Sequence, residues 1–413
     1  MKKLLWIVVS WLVPALCHAS GYGLYEMNAG AHGMAHAWIC RVDDASAVWY
    51  NPAALTRIET NDIYVSGTLI GSNGDFNPTV QPGLIDQEKR TFFPANAYYG
   101  RKFSDNWAFG VGFYTPFGLG TEWPVNSLPS FVSQKATLRT FFITPSIAYR
   151  INPMLSIGGG VDIAYGDVKL RRNIQAVVPQ LGLVQFSNDI DANGTDVGFN
   201  LGMLIETDKN WSFAVTYKNK IDLNFDGDAT FRSVPPPIAP LIPDGPVQTE
   251  LPFPSQLMFG GATTYEHWSF EGDLIFTFWD AFDALRINFT DQTPIVQNQV
   301  IIRDWENTWA IRLGAEYKWT EHNSFRAGYL YDKTPVVDQS VDPILPDGSR
   351  NGITFGYGYH TGDWKFDVSY MHLFFGDRLS PLDNFIPPPG NLAAAGLYTS
   401  TANLLAFGFG YKF

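Results

Sequence analysis

The stretch Trp305-Glu306-Asn307-Thr308-Trp309-Ala310-Ile311-Arg312-Leu313-Gly314-Ala315-Glu316-Tyr317-Lys318-Trp319 places apolar side chains at 305, 309, 311, 313, 315, 317 and 319. Against them stand Glu306, Thr308, Arg312, Glu316 and Lys318. A period of two over this length is a β-strand with one apolar and one wet face. The pattern recurs in 211–225, where Phe213, Val215, Tyr217, Ile221 and Leu223 oppose Thr216, Lys218, Lys220, Asp222 and Asn224. It returns in 268–278, 325–331, 364–374 and 405–413. Soluble strands are usually much shorter, whereas a tilted strand crossing a bilayer needs roughly 9–11 residues plus its flanks. The chain therefore reads as all-β, a membrane barrel.

Lys2 and Lys3, the apolar run from Leu4 to Leu16, and Cys17-His18-Ala19 before Ser20 have the order of a secretory signal peptide, so residues 1–19 are expected to be removed. A lipoprotein reading of Cys17 is weaker, because Leu16 stands where a small residue is expected. With the signal gone, Lys plus Arg falls from 28 to 26 against 40 Asp plus Glu, and the net charge moves from −12 to −14. An acidic exported chain is a poor partner for nucleic acid. Only Cys40 then remains, so no intrachain disulfide is available. Beyond the signal no run of about eighteen apolar residues occurs, which excludes helical spans. A closed barrel is what remains, because every backbone polar group inside lipid must be paired. The 13 Trp, 19 Tyr and 31 Phe, many near strand ends, suit interfacial girdles.

Fourteen period-two segments follow residue 61, near 62–71, 93–104, 107–116, 136–150, 153–171, 190–206, 210–231, 252–265, 268–280, 305–319, 323–333, 350–361, 363–376 and 399–413. Every second connection is a tight turn, such as Ser104-Asp105-Asn106, Ile151-Asn152-Pro153 and Thr361-Gly362-Asp363; the others are long. That alternation with an even strand count is the outer-membrane plan, with short turns periplasmic and long loops outside. The expected fold is a fourteen-stranded antiparallel transmembrane β-barrel over 62–413. Residues 20–61 are Gly- and Ala-rich, lack a period-two face and are too few for a core of their own, so they are expected to form a plug in the lumen. A soluble barrel or sandwich is the rival reading. The signal peptide, the strand length and the ending Phe407, Phe409, Tyr411, Phe413 favour the membrane, and on that reading Arg312, Glu316 and Lys318 line the lumen.

Two long loops are apolar for surface segments. One holds Val178, Leu181, Leu183 and Phe186; the other contains Ile238, Leu241 and Ile242 within a proline-rich run. They either capture a hydrophobic ligand or pack on each other to close the barrel top. Lys169, Arg171 and Arg172 beside the first loop either hold the head of an amphipathic acid or meet anionic lipid headgroups. The segment Asp222 to Gly227 imitates the start of a calcium loop, but Ser233 stands where a Glu is required. His32 and His36 have i, i+4 spacing without a third ligand, so no metal is expected. A rim lipase would need a Ser partner for His372, and none is matched; no phosphate loop, dinucleotide fingerprint or nucleophile elbow occurs.

The N-terminal segments Gly21-Tyr22-Gly23-Leu24-Tyr25-Glu26 and Asp43-Asp44-Ala45-Ser46-Ala47-Val48-Trp49-Tyr50-Asn51-Pro52-Ala53, with Phe325 to Val336 and Leu345-Pro346-Asp347-Gly348-Ser349-Arg350, resemble the FadL-type outer-membrane transporters of long-chain fatty acids and aromatic hydrocarbons. The resemblance covers nearly the whole mature chain. It implies capture of substrate between the third and fourth extracellular loops, a lumenal pocket near Ser20, Tyr22 and Leu24, and lateral exit through a kinked third strand. Carried over, Asn51, Pro52 and Ala53 belong to the gate, and Gly110, Gly112 and Pro116 to the opening. Trp38-Ile39-Cys40 and a short second extracellular loop depart from the family pattern. The expected function is passive uptake of hydrophobic compounds, long-chain fatty acids first and neutral aromatic hydrocarbons second, without cofactor or catalysis. A general porin, a rim lipase and an adhesin are the readings of other classes. Expected partners are the hydrophobic substrate, outer-membrane lipids and lipopolysaccharide, and the barrel assembly machinery through the strand ending at Phe413; the barrel is expected to be a monomer.

Overall fold

The alternating segments pair into one antiparallel sheet that closes on itself. The structure, a computed structural model, describes residues 21–81, 83–178 and 181–413. The expected signal peptide and Ser20 lie outside the described residues. The fourteen barrel strands are β1 (Asn61–Pro78), β2 (Arg90–Phe92 and Ala95–Lys102), β3 (Trp107–Tyr114 and Gly118–Glu122), β4 (Lys135–Asn152), β5 (Leu155–Val178), β6 (Gly182–Glu206) and β7 (Trp211–Lys218 and Ile221–Arg232). They continue with β8 (Gly245–Phe253 and Gln256–Tyr265), β9 (Trp268–Thr277 and Ala284–Phe289), β10 (Gln299–Ile302 and Thr308–Lys318), β11 (Asn323–Asp332), β12 (Arg350–Thr361), β13 (Trp364–Phe375) and β14 (Gly396–Lys412). An unbroken ladder from Asp62↔Lys412 to Pro78↔Gly396 joins β1 to β14, so the sheet has no free edge.

Side-chain direction agrees with a lipid-facing belt. In β10, Trp309 and Leu313 are 39% and 50% exposed, while Arg312 between them is 1% exposed. A single apolar face over 211–225 is not what forms. Phe213 is exposed, whereas Ile221, Leu223 and Phe225 are buried, and the strand breaks between the two parts at Asn219 and Lys220. In β9 the lower part turns Phe270 and Phe276 outward and Glu271 and Asp273 inward; the upper part turns Ile287 and Phe289 inward. β8 makes the same exchange around Pro254 and Ser255. The physical reason is a change of solvent: below the break the outside is hydrocarbon, above it the outside is water, and apolar side chains move to the interior.

Residues 21–60 pack inside the ring. They form two helical turns, Ala29–His32 and Ala47–Tyr50, and the 3-10 segment Pro52–Arg57. Their backbone amides are taken by strand side chains on different sides of the barrel: Ala35 N–H by Thr354 Oγ1 at 3.1 Å, Trp38 N–H by Asp273 Oδ2 at 3.0 Å and Ala45 N–H by Asp62 Oδ1 at 2.8 Å. A segment this short cannot satisfy its own backbone, so the wall supplies the acceptors.

Charged residues of the inner face form buried pairs. Arg326 donates to Glu316 at 2.6 Å and Asp367 at 2.5 Å, and Arg41 reaches Glu316 at 2.7 Å. Asp332 accepts from Arg312 and Arg350, each at 2.9 Å. Arg326→Met removes the ion-pair partner of buried Asp367 and leaves Glu316 with Arg41 alone, and a cost of about 3–5 kcal/mol is expected, read as a lowered thermal midpoint in detergent.

Candidate functional site

The β2–β3 ladder stops at Ala97↔Phe113. Beyond it β3 keeps only its β4 neighbour, and its register slips: Tyr114 faces Phe142, but Gly118 faces Arg139, leaving one extra residue in β3. That is a β-bulge, and Pro116 inside it has no N–H to give. Among the described residues, Glu88 N–H to the Glu122 carbonyl at 2.8 Å is the backbone bond that rejoins the two sides higher up. Between these points the wall carries an unpaired gap. The backbone groups freed by the bulge are taken from within: Leu24 N–H donates to the Pro116 carbonyl at 2.8 Å, and Gly118 N–H donates to the Tyr22 carbonyl at 2.9 Å.

A cavity of about 410 Å³ lies behind the gap. Leu24, Phe92, Phe117, Leu138, Leu345 and Leu373 give it a mainly apolar lining, and Glu26, Arg90, Arg139, Asp347 and Arg350 also border it. It also reaches Phe93, which is 60% exposed on the outside of the wall, so the cavity runs from the lumen to the lipid-facing surface. Above Leu24, Tyr22 stands in a cage of aromatic rings. Its ring centroid is 4.8 Å from Trp279 and 5.6 Å from Trp305, and its hydroxyl donates to the Pro252 carbonyl at 2.5 Å. Gly21 holds a φ of +64°, and a Cβ there would run into both Trp279 and Trp305. Its N–H donates to Asp347 Oδ2 at 3.0 Å, which also accepts the Thr334 hydroxyl at 2.5 Å. Burial pushes the Asp347 carboxyl up to about 6.

The structure brings some of the sequence-predicted residues together at this place and not others. Tyr22, Leu24 and Pro116 meet at the gap. Gly110 and Gly112 lie below it in the paired ladder, where their missing side chains leave room for Val48 and Leu55. Asn51, Pro52 and Ala53 pack against Gly158 of β5 and Gly202 of β6, away from the cavity. There Asn51 Nδ2 donates to the carbonyls of Ile39 and Met203 at 3.1 and 3.2 Å, and Ala53 N–H donates to Asn51 Oδ1 at 3.1 Å.

The first expected apolar loop is instead an extension of the β5–β6 hairpin, with Val178 ending β5 and Leu183 and Phe186 in β6. Phe186, Ile238 and Ile242 are buried and Val178 packs against the same core, while Leu181, Leu183 and Leu241 are exposed. Lys169 and Arg171 point outward and pair with Asp191 and Asp189, both at 2.5 Å. Arg172 points inward. It lines a second cavity of about 30 Å³ with Leu170, Ile190, Leu285 and Ile287, and among the described residues its guanidinium makes no hydrogen bond or ion pair, with Asn188 as its neighbour across the ladder. Ser133 Oγ and Asn188 Oδ1, from the same lining, are also without partners. Ile344 lines this cavity and Leu345 the larger one, so the β11–β12 loop is the partition. His32 meets Ser369 at 2.8 Å, and burial holds its ring neutral, down to about 3. His372 meets Asn403 at 2.8 Å on the outer face.

Sequence reasoning put Trp305 on the outward apolar face and Phe93 and Trp279 inside period-two segments, and assigned none of them, nor Phe92, to a site. Trp279 and Trp305 are buried instead, because they lie where the strands break and the apolar face turns inward.

A closed fourteen-stranded barrel, filled from within and opened sideways next to an apolar cavity, defines a membrane transporter for hydrophobic molecules. The family model for outer membrane protein transport proteins (OMPP1/FadL/TodX) matches residues 10–413, and the chain belongs to that family. It is similar to the long-chain fatty acid transport protein of Escherichia coli K12, 26% identical over 403 residues, covering 87% of this chain and 90% of the relative. It also resembles outer membrane protein P1 of Haemophilus influenzae, 24% identical over 404 residues and 86% of each chain. Among solved structures, a Pseudomonas aeruginosa FadL homologue superposes with a TM-score of 0.83 at 20% identity, covering 95% of this chain and 100% of that one. The Pseudomonas putida toluene transporter TodX gives 0.75 at 16% identity, covering 95% and 99%. These structures share the fold. The protein resides in the outer membrane, and the family is one of transport proteins.

The Asp347 carboxyl, raised in the folded state, contributes stability that is complete below its ordinary value of 3.8 and is lost as pH rises through about 6. Thermal unfolding in detergent is expected to show a falling midpoint between pH 4 and pH 6, and Asp347→Asn to flatten that slope.

Proposed function

We propose that this chain carries long-chain fatty acids passively across the outer membrane and delivers them sideways into the bilayer through the β2–β3 gap. The observation that carries the reading is Arg172. A guanidinium with no partner, set among Leu170, Ile190 and Ile287, stands ready for a carboxylate with a long alkyl chain. Tail and head then have separate places: the head on Arg172, the tail over Ile344 and Leu345 into the apolar cavity. Lateral release keeps the tail beside hydrocarbon and spares it the charged lumen. Tyr22 and Leu24 hold the bulge of β3, so displacement of this strip by substrate is the gating step, and Asn51 to Ala53 serve as the anchor on β5 and β6 about which the strip moves. The exposed apolar tip residues Leu181, Leu183 and Leu241 act as the outer landing surface. The name of the Escherichia coli relative supports the same substrate class.

A second reading is uptake of neutral aromatic hydrocarbons. Phe92, Phe93, Phe117 and Phe141 about the gap favour it, since they offer ring faces and edges to a neutral aromatic ligand.

Oleate and toluene uptake by a deletion strain carrying this chain distinguishes the two. Arg172→Met is expected to weaken oleate binding about ten- to a hundredfold, the loss of one charged hydrogen bond of ~1.5–3 kcal/mol, and to leave toluene entry unchanged. Equal uptake of oleate by wild type and Arg172→Met would remove the fatty-acid reading. Gly118→Leu, whose new side chain meets Leu24, is expected to slow both substrates at least about tenfold while the barrel still folds.

A further inference from the structure

We propose that Cys40, Glu271 and Asp273 form a site for one divalent transition-metal ion that clips the N-terminal segment to the barrel wall. Glu271 and Asp273 stand two apart in β9, so both side chains enter the lumen on the same face. Each is 3% exposed. One oxygen of each is committed to the turn that carries Cys40. Glu271 Oε1 accepts Cys40 N–H at 2.6 Å, and Asp273 Oδ2 accepts Trp38 N–H at 3.0 Å. The other oxygens, Glu271 Oε2 and Asp273 Oδ1, are buried and receive no N–H or O–H from another residue, and the two carboxyls lie within hydrogen-bonding reach of each other. Cys40 Sγ and one oxygen of each carboxylate lie within 4.8 Å of one another.

No cation among the described residues pairs with either acid. Arg41, next in sequence to the thiol, is engaged with Glu316 at 2.7 Å, and Arg57 with Glu206 at 3.0 Å and the Cys40 carbonyl at 2.6 Å. Two carboxylates this close and this dry cannot both stay ionised without a positive charge between them. A shared proton would settle the acids alone, but it leaves unexplained a thiol brought to the same point. A metal ion bound here would displace the thiol proton to water and take the thiolate as ligand.

A thiolate and two carboxylate oxygens are a borderline-soft donor set. It suits Zn²⁺ or Cd²⁺ over Ca²⁺ and Mg²⁺. Bonds of roughly 2.3 Å to sulfur and 2.0–2.2 Å to oxygen require the three donors to draw in by about 1 Å, with water as fourth ligand. The backbone N–H groups of Trp38 and Cys40 orient the two acids, as second-sphere partners of metal ligands do. Glu271 lies three residues from Trp268, where β9 leaves the short turn Glu266-His267, so the site sits toward the short-turn end of the barrel.

The test uses the full chain, purified in detergent and stripped with a chelator, titrated with Cd²⁺ and Zn²⁺. One Cd²⁺ per chain is expected, with an ultraviolet cadmium–thiolate charge-transfer band that Cys40→Ser abolishes, together with a rise in the thermal midpoint on adding Zn²⁺. Asp273→Asn keeps an oxygen for Trp38 N–H, and is expected to lower Zn²⁺ affinity at least about tenfold with the barrel still folded. No band in the wild type, or Zn²⁺ bound as tightly by Cys40→Ser, overturns the proposal. So does a carboxylic-acid C=O infrared stretch, lost in Asp273→Asn, that persists at saturating Zn²⁺, because it identifies a shared proton instead.

Discussion

Hydrocarbon accepts no hydrogen bonds, and this one constraint organises the molecule. A backbone that crosses lipid must pair every N–H and C=O with another strand, which closes β1 onto β14 and forbids any casual break in the wall. The gap between β2 and β3 is tolerable because its loose groups are taken elsewhere. The β3 carbonyl at Pro116 and the amide of Gly118 bond to Leu24 and Tyr22 from inside. The wall opening and the N-terminal strip are therefore one device: neither is stable in this form without the other.

The interior shows the opposite economy. At membrane depth the lumen is lined with charge, and the N-terminal segment is fastened there by carboxylates that accept its amides and by its own Arg41 on Glu316. Higher up, where the outside becomes water, the inner face turns apolar through Leu223, Phe225, Phe253, Ile287 and Phe289. A hydrophobic solute on the proposed lateral route would meet an apolar inner face above the charged level. Such an arrangement fits lateral delivery and gives a small polar solute little to hold.

Charge placement also separates the basic cluster at the end of β5. Alternation sends Lys169 and Arg171 outward to aspartates and Arg172 inward to an apolar cavity. Three basic residues within four positions look equivalent in a sequence. The pleat makes one of them different, because successive side chains of a strand point to opposite faces.

Much of the architecture was legible in the chain itself. Period-two segments, short turns alternating with long loops and a terminal aromatic ladder dictate strand number, antiparallel order and closure, since these depend on local pleat geometry and on lipid as solvent. Tyr22, Leu24 and Pro116 were legible through their motifs. The change of inner face at Asn219–Lys220 was not, because a sequence does not state where hydrocarbon gives way to water along a strand. Nor were the aromatic cage around Tyr22, the grouping of Cys40 with Glu271 and Asp273, or the solitary state of Arg172. Each joins residues far apart in the chain or depends on who the neighbours are, and only the closed ring decides which side chains share its interior.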